Sequence, residues 1–237
     1  MKIEILFPEI CNLYGESANV LYLKKCMPDA TFYETSINDE IRFINEDINL
    51  VYIGSFPDEN MELIINKLKK DKDKIKEKLD NNQVFLATGN SFEIFSNYII
   101  DNEKKIEGLN IFDFYVKKEY EKRHNSLFLG EFNGISIVGY KSQFSMSYNL
   151  KNNEFIKVKK GIGLNDNDQN EGINYKNFYG TYLLGPFLII NPYFTKHLLK
   201  QIGYKKKLIF EDEIIDAYNY RLKELENDKT IIICKHS

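Results

Sequence analysis

Residues 84–95 are the stretch that most constrains how this chain can fold. Val84 to Ala87 form a short apolar run, the length of a buried strand in a parallel sheet. Apolar residues then recur at helical spacing between Phe92 and Ile99. Asn90 precedes Glu93 by three positions, which is a capping-box pattern, so the sequence predicts a helix that starts at Asn90. We therefore expect a strand, a sharp turn and a helix.

Gly89 stands at the corner between this strand and this helix. A strand that turns straight into a helix often needs a backbone angle that is costly for a residue with a β-carbon. In many α/β hydrolytic enzymes the corner carries the nucleophile, which is lifted above the sheet edge. Here the corner has no side chain, and any functional interpretation has to account for that.

The N-terminal part of the chain alternates predicted strands and helices. The strands are expected at 2–7, 31–34, 50–53 and 84–87, and the helices at 17–27, 59–79 and from 90 onward. This order favours an α/β fold with a mainly parallel sheet covered by helices.

From Ile111 onward the pattern changes to short strands separated by tight turns such as Asn133-Gly134. Strands are expected at 112–116, 126–131, 135–140 and 178–183, with closing helices at 193–202 and 212–226. The polar, Asn- and Gly-rich stretch 151–177 is predicted to be mostly loop, and 230–234 is too short to assign. Without repeats or a linker, residues 1–237 are expected to form a single domain.

Composition narrows the functional classes. Hydrophobic residues make up 43% of the chain and the net charge is −3, with only three arginines. Lysines are scattered among acids, and the run 205–207 is best explained as a solvated loop, so no nucleic-acid surface is expected. The abundance of Lys, Asn, Ile, Tyr and Phe suggests an AT-rich genome and a bacterial source.

The cysteines and the apolar runs indicate the cellular compartment of the protein. Cys11, Cys26 and Cys234 are far apart and odd in number, which argues against a disulfide framework and favours a reducing compartment. No spacing resembles a zinc site, and no cofactor is expected. The chain shows no signal sequence, and its apolar runs are far shorter than the roughly 20 residues of a membrane span. We expect a cytoplasmic protein with no membrane association.

Four segments together resemble the glutamine amidotransferase domain of the cobyric acid synthase type. The likeness is strongest to the amidotransferase subunit that pairs with a Mur-ligase-like enzyme in amidating cell-wall lipid II. Residues 7–20 are similar to the family's start, with its Asn-x-Tyr-Gly-Asp element, and 53–59 to its Gly-rich loop ending in an acid. Residues 89–95 correspond to Cys-Gly-Gly-Tyr-Gln-Leu-Leu, and 180–186 to Gly-Thr-Tyr-Leu-His-Gly-Pro. The resemblance covers nearly the whole chain and implies a flavodoxin-like three-layer α/β/α fold, with a mainly parallel sheet and some antiparallel strands.

The resemblance also implies a chemistry that this sequence does not support. In the family a cysteine thiolate at the corner attacks the glutamine amide, a histidine acts as base and acid, and backbone N–H groups stabilise the oxyanion. The alignment puts Gly89 at the cysteine and Leu184 at the histidine, and neither residue can do this work. The segment 139–145, which includes Gln143, also departs from the family's Gly-Phe-Glu-Asn-His-Gly-Gly. His124 and His197 do not occupy family catalytic positions, and His197 is expected at the surface.

Two hypotheses from different classes follow. The first is a degenerate amidotransferase-like protein without glutaminase activity, a binding or regulatory subunit for a Mur-ligase-like or synthetase partner. Its corner would still suit a small anionic or amino-acid ligand, held by Gly54, Gly89, Asn90, Ser91 and Gln143. The second is an active amidotransferase that supplies ammonia to a ligase-like partner through a displaced nucleophile such as Cys11. Cys11 is also well explained as a small buried apolar residue.

Other residues near the corner have simpler roles in this interpretation. Ser91 is expected in the first helical turn, where it satisfies backbone N–H groups, and Thr88 is expected to pack within the sheet. A third possibility is an unrelated flavodoxin-like binding module, in which the four motifs would not converge on one pocket. We therefore predict that Gly89 and Leu184 lie in one pocket, near Asn90 and Gly54.

Overall fold

The computed structural model describes residues 1–232. Its strands are β1 Lys2–Leu6, β2 Thr31–Thr35, β3 Leu50–Ile53, β4 Val84–Thr88, β5 Tyr98–Asp101, β6 Lys104–Glu107, β7 Tyr115–Lys118, β8 His124–Phe132, β9 Ile135–Gln143, β10 Ser145–Tyr148, β11 Glu154–Lys160, β12 Asn170–Tyr175 and β13 Phe178–Thr181. Its α-helices are α1 Glu16–Cys26, α2 Met61–Lys69, α3 Lys72–Asp80, α4 Phe187–Ile190, α5 Pro192–Gln201 and α6 Glu211–Glu226. Short 3-10 helices span Leu13–Gly15, Asp58–Asn60 and Gly89–Phe95. Part of the unassigned segment 230–234, with Cys234, lies outside the described residues.

A nine-stranded sheet in the order β2-β1-β3-β4-β13-β12-β11-β8-β9 forms the centre of the fold. The strands from β2 to β13 in this order run parallel, in the strand order typical of flavodoxin-like folds. The remaining strands, from β12 to β9, continue the sheet in antiparallel fashion. Two large apolar clusters cover the faces of the sheet, one of them including α2 and α3 and the other α1 and α5. The predicted α/β fold of the flavodoxin-like class is confirmed.

The predicted helix after the corner is wrong beyond Phe95. The 3-10 helix ends there because Ser96 is extended, with ψ of 171°. Tyr98 then begins β5, which pairs with β6 on one side and with β7 on the other. These strands and β10 form a second, four-stranded sheet in the order β10-β7-β5-β6. Pairing on both edges outweighs the helical spacing of the apolar residues in this stretch.

Three other expectations need correction. The long helix expected at 59–79 is two helices, α2 and α3, separated by a turn at Lys70 and Asp71. The strand expected at 112–116 is β7, which begins only at Tyr115. The expected loop 151–177 contains β11 and β12, which pair with each other and join the main sheet. Its polar residues gave no periodic signal because non-local pairing, rather than local pattern, makes these segments strands.

The edge strand β9 is partly covered by a single side chain. Asn191 lies between α4 and α5, is 1% exposed, and accepts a hydrogen bond from the Val138 N–H at 2.9 Å. Its amide nitrogen donates to the Val138 carbonyl oxygen, also at 2.9 Å. Asn191 thus makes the pair of bonds that a tenth strand would make at this residue.

Within residues 1–232, no helix has the length and apolar character needed to cross a membrane.

Candidate functional site

A cavity of about 170 Å³ lies where β3, β4 and β13 end. In α/β sheets of this kind, ligands bind outside the carboxyl ends of the strands. The cavity is lined by Gly89 and Asn90 from the corner and by Leu184 from the segment after β13. Gln143 from the end of β9 completes it on the far side. Segments far apart in the sequence thus meet at one place.

The structure brings together four of the predicted site residues and leaves two outside. Gly89, Asn90, Gln143 and Leu184 line the cavity, whereas Gly54 and Ser91 are buried behind it and are not part of the described lining. The Ser91 hydroxyl donates to the Thr88 carbonyl oxygen at 2.8 Å and also contacts the Ile53 carbonyl oxygen. Ser91 therefore satisfies carbonyl groups rather than the expected N–H groups. That the lining residues bind a ligand stays a prediction.

Asn90 anchors the loop after β3 to the corner, which differs from the capping role expected for it. Its side-chain oxygen accepts from the Phe56 N–H at 3.1 Å, and its nitrogen donates to the Phe56 carbonyl oxygen at 2.9 Å. The same nitrogen donates to Asp58 Oδ1 at 3.1 Å. Because Asn90 lies inside the 3-10 helix and turns outward to this loop, it does not cap the helix.

Gly89 has φ of +64°, as the sharp corner predicted. An ideal β-carbon at this position would lie 2.3 Å from Cβ of Ser55 and 3.0 Å from its hydroxyl oxygen. Ser55 itself is 2% exposed, and its hydroxyl donates to the Leu13 carbonyl oxygen at 3.3 Å. The Ser55 side chain thus fills the space that any side chain at 89 would need.

A buried carboxyl group supports the corner from below. Glu16 is 0% exposed and accepts hydrogen bonds from the Thr88 hydroxyl at 2.6 Å and from Asn19 at 3.0 Å. The Tyr52 hydroxyl also donates to it. Burial raises the pKa of Glu16, and these donors oppose the rise. Thr88 is therefore a hydrogen-bonding residue and not only part of the sheet packing.

The segment carrying Leu184 is held by a second buried carboxyl group. Leu184 is 6% exposed, and its N–H donates to the Tyr140 carbonyl oxygen at 3.1 Å. Glu171 accepts hydrogen bonds from two residues just before Leu184, the Thr181 hydroxyl and the Tyr182 N–H, both at 2.7 Å. Lys141 Nζ lies 3.7 Å from Glu171. Burial lowers the pKa of Lys141 to about 8, against the opposing effect of Glu171.

A third carboxyl group is buried behind residues that line the cavity. Glu93 is 0% exposed. Ser145 and Tyr182 line the cavity, and their hydroxyls lie near enough to Glu93 to act as donors that lower its pKa. Burial raises the pKa of Glu93 to about 8, Asp58 adds to the rise, and Lys118 opposes it. The sequence interpretation treated Glu93 only as a capping residue.

Lys118, whose charge opposes the raised pKa of Glu93, forms its ion pairs with two other carboxylates. The side chain of Lys118 is 0% exposed, and its Nζ lies 3.3 Å from Asp58 and 3.2 Å from Asp101. On the opposite side of the cavity, Arg123 donates to the Ser142 hydroxyl at 2.9 Å and to the Tyr14 hydroxyl at 3.2 Å. The cavity therefore has an acidic end near Asp58 and a basic side at Arg123.

The cysteines and histidines considered as catalytic substitutes are buried or half-buried. Cys11 is 4% exposed, and burial raises the pKa of its thiol far above the ordinary range. His124 is 3% exposed, and burial lowers its pKa. His197, expected at the surface, is half-buried and lies 3.0 Å from the Tyr179 hydroxyl. In the described part of the chain, no group of three or more His, Cys, Asp or Glu side chains is placed to hold a metal ion.

The fold and the cavity at the strand–helix corner define a flavodoxin-like α/β protein with a pocket at the carboxyl ends of its parallel strands. The sequence profile of the CobB/CobQ-like glutamine amidotransferase domain matches residues 2–191. The chain therefore belongs to this family.

Two relatives and one solved structure give the comparison more detail. The lipid II isoglutaminyl synthase (glutamine-hydrolyzing) subunit GatD of Staphylococcus aureus is 29% identical over 210 residues, which are 86% of this chain and 85% of the relative. The subunit of the same name from Streptococcus pneumoniae is 26% identical, over 92% of this chain and 90% of the relative. The fold is similar to a crystal structure of a glutamine amidotransferase, with a TM-score of 0.56 at 10% identity, over 85% of this chain and 99% of that chain.

Proposed function

We propose that this chain is an amidotransferase subunit that has lost glutamine hydrolysis and acts by binding a ligase-like partner and a small ligand. The observation that carries the proposal is the contact at the corner. Gly89 and Leu184 line the same cavity, and the side chain of Ser55 occupies the space beside Gly89.

The reaction of the family needs two groups at this place. A thiolate has to reach the glutamine carbonyl carbon, and an imidazole has to take and return a proton. Glycine offers no nucleophile and leucine no titratable group. Ser55 supports the proposal further, because it closes the site to a nucleophile at position 89 rather than leaving a gap there.

The alternative of an active enzyme with Cys11 as a displaced nucleophile is less well supported. A nucleophilic cysteine needs partial exposure and a lowered thiol pKa. Cys11 packs within the apolar core, and burial together with the nearby Glu9 and Glu16 carboxylates raises its pKa. These features favour a structural role for Cys11.

The partner part of the proposal is supported by the relatives. Both are named as subunits of a lipid II isoglutaminyl synthase, and the match extends over most of each chain. We propose a ligase-like partner of the Mur-ligase or synthetase type for this chain as well. The proposed ligand would contact the cavity lining at Gly89, Asn90 and Gln143.

A glutaminase assay tests the proposal. The purified chain, alone and with candidate ligase-like partners, is expected to release no ammonia from glutamine above the buffer background. The Staphylococcus aureus relative, with its own partner, is the positive control. Ammonia release by this chain that Cys11→Ala abolishes would establish the alternative. Release that survives Cys11→Ala would still refute the loss of hydrolysis.

Partner binding is measured separately, by size-exclusion chromatography with light scattering on mixtures of the chain and each candidate ligase. A stable complex is expected with one of them. If no candidate ligase from the same genome forms a complex with the chain, the partner part of the proposal is wrong.

A further inference from the structure

The two sheets described in residues 1–232 have four edge strands, β2, β9, β6 and β10. An edge strand exposes unpaired backbone N–H and C=O groups that can pair with another chain, and folded proteins usually protect it. On β9, Asn191 satisfies both backbone groups of Val138. On β6, Lys104 and Lys105 discourage association, because lysine on an edge strand opposes pairing with another strand. Both of these edges are therefore protected.

The edge of β10 is covered by a neighbouring loop of the chain itself. The Ser147 N–H donates to the Leu164 carbonyl oxygen at 2.9 Å. The Ser147 carbonyl oxygen accepts from the side-chain nitrogen of Asn165 at 2.8 Å. With β10 covered in this way, three of the four edges have a protective device, and β2 is the edge that remains.

β2 has none of these protections. Its register with β1 is continuous over all five residues, so no bulge interrupts the strand, and it contains neither Pro nor Lys. The Thr31 N–H donates to the Met1 carbonyl oxygen at 2.8 Å, and the Thr35 carbonyl oxygen accepts from the Phe7 N–H at 2.7 Å. Successive residues of a strand point their backbone groups to opposite sides. The residues next to Thr31 and Thr35 in the strand therefore face away from β1.

Phe32 and Glu34 are the residues whose backbone groups point outward. In the part of the chain that the structure describes, neither the N–H nor the C=O group of either residue has a hydrogen-bond partner. Two donors and two acceptors thus form a row along the edge, which is the pattern that an additional strand pairs with. A partner strand as long as β2 would span about 17 Å.

A cavity of about 520 Å³ runs along this edge, and we call it the β2 groove. Four consecutive residues of β2, 32–35, line it. Because the side chains of a strand alternate between the two faces of the sheet, a lining of consecutive residues means that the groove follows the strand edge. Residues 39–42, Asn45 and Glu46 form the other wall. The β2 groove is therefore open to an extended chain beside β2.

The lining of the β2 groove is acidic. Its charged residues are four carboxylates and one cation: Glu34, Asp39, Glu40, Glu46 and Arg42. Arg42 pairs with Glu46 at 3.0 Å, and Lys24 on α1 pairs with Glu34 at 2.5 Å. Among the described residues, no basic side chain pairs with Asp39 or Glu40. The groove thus keeps an excess of negative charge, which favours a basic occupant.

The excess charge lies on one face of the sheet. Tyr33 packs against the apolar cluster that includes Ile41, and the Arg42 guanidinium lies 4.5 Å from the centre of the Tyr33 ring. Phe32 packs against the cluster on the opposite face, together with α1. The acidic segment 39–42 is therefore on the Tyr33 face, and an added strand would meet it with every second side chain.

We propose that the β2 groove binds an extended basic segment of a partner protein, which joins the main sheet as a strand beside β2. The backbone of the segment pairs with the outward N–H and C=O groups of Phe32 and Glu34. Basic side chains at alternate positions of the segment meet Asp39 and Glu40. The proposal concerns a surface separate from the cavity at the corner, and it does not depend on the loss of hydrolysis.

The test uses the full chain and the synthetic peptide acetyl-Lys-Val-Lys-Val-Lys-Val-amide as the probe. Calorimetric titration at low ionic strength is expected to show saturable binding, and the same peptide with Glu in place of Lys, the charge control, is expected not to bind. Further peptides carry N-methyl groups on all lysine or on all valine backbone nitrogens. Only alternate N–H groups of an added strand face β2, so one methylated peptide should bind like the parent and the other should lose binding.

Variants assign the binding to the β2 edge. Glu34→Pro removes an outward N–H and leaves the hydrogen bonds to β1 intact, and proline is tolerated at such edge positions. It should weaken binding of the lysine peptide about tenfold or more. Glu34→Gln, the matched control, removes only an exposed charge and should weaken binding a few-fold at most. If Glu34→Pro does not fold, Glu40→Lys is the test and should weaken binding several-fold, whereas Glu103→Lys, in the exposed turn before β6, should not.

Several outcomes would overturn the proposal. They are no saturable binding of the lysine peptide, equal binding of the glutamate peptide, equal effects of the two methylations, or undiminished binding by a folded Glu34→Pro variant. Light scattering on the free chain tests a second copy as the occupant, and a dimer that Glu34→Pro dissociates would also refute the proposed segment. Ammonia release from glutamine would refute the proposed function and leave this inference in place.

Discussion

Replacing Gly89 with alanine adds one methyl group at the corner after β4, and the structure predicts two separate costs. The first is conformational, because φ of +64° is unfavourable for a residue with a β-carbon. It is about 1–2 kcal/mol. The second is steric, because the new β-carbon would lie 2.3 Å from Cβ of Ser55. Overpacking of this kind costs about 1–3 kcal/mol. The free energy of unfolding should therefore fall by about 2–5 kcal/mol in total.

A matched glycine separates the two costs. Gly203, after α5, has φ of +82° and open space around its would-be β-carbon. Gly203→Ala should therefore show only the conformational cost, about 1–2 kcal/mol. The assay is urea unfolding followed by circular dichroism, with the free energy of unfolding extrapolated to water.

A second substitution tests the contact itself. Ser55→Gly removes the β-carbon and hydroxyl that a side chain at 89 would meet, and the nearest remaining Ser55 atom is Cα at 3.3 Å. In the double variant Ser55→Gly/Gly89→Ala, the loss in free energy of unfolding should be smaller than the sum of the two single losses by about 1–3 kcal/mol. Ser55→Ala keeps the β-carbon and should recover little. The reasoning is refuted if Gly89→Ala costs no more than Gly203→Ala, or if Ser55→Ala rescues as well as Ser55→Gly.

Three further predictions concern buried groups. The pKa of Glu93 is 4.5 in the unfolded chain and about 8 in the folded protein. The stability that the protonated Glu93 contributes is therefore fully present below about pH 4.5 and is lost as the pH rises through 8. The stability of Glu93→Gln relative to the wild type should therefore increase by at most about 5 kcal/mol between those limits, and urea unfolding that shows no pH-dependent difference would contradict this. Cys11 should resist iodoacetamide in the native protein at pH 8 and react once the protein is unfolded, because burial raises its thiol pKa. Labelling is read by peptide mass spectrometry, and equal labelling in both states would contradict the buried placement of Cys11. Asn191→Leu should lower the free energy of unfolding by about 2–4 kcal/mol, since it leaves the Val138 N–H and C=O unsatisfied. The exposed control Asn45→Leu should change the free energy of unfolding by under about 0.5 kcal/mol. Equal effects of the two substitutions would refute the role of Asn191.

The strand and corner of the site were predictable because they depend on local sequence. The apolar run before Gly89 has the length of a buried parallel strand, and the glycine marks the positive φ that the turn requires. The convergence of Gly89 and Leu184 was predictable from the family resemblance, which aligns them with the two catalytic positions, whereas the parallel pairing of β4 and β13 that brings them together was not predicted. The structure places both around the same cavity.

The elements and contacts that the sequence did not predict depend on partners far along the chain. The strand β5 has helical spacing locally, yet it pairs along both of its edges. Gly54 was expected in the pocket, but the Cys11 carbonyl oxygen and Glu16 pack against it, and Ser55 reaches the cavity instead. Glu93 matched a capping pattern, and only the fold shows that its carboxyl group is buried. In each case tertiary packing overrides a local preference.

Under the proposed loss of hydrolysis, the contact between Ser55 and Gly89 also affects how that activity could be regained. A cysteine that appeared first at 89 would meet the Ser55 side chain and destabilise the fold, because its β-carbon has no room. A glycine that appeared first at 55, or a histidine at 184, would add no nucleophile and confer no benefit by itself. Most proteins tolerate only a small loss of stability. Under that proposal, single substitutions give no favourable route back to a nucleophile at position 89, because the β-carbon has to be accommodated before the nucleophile can be used.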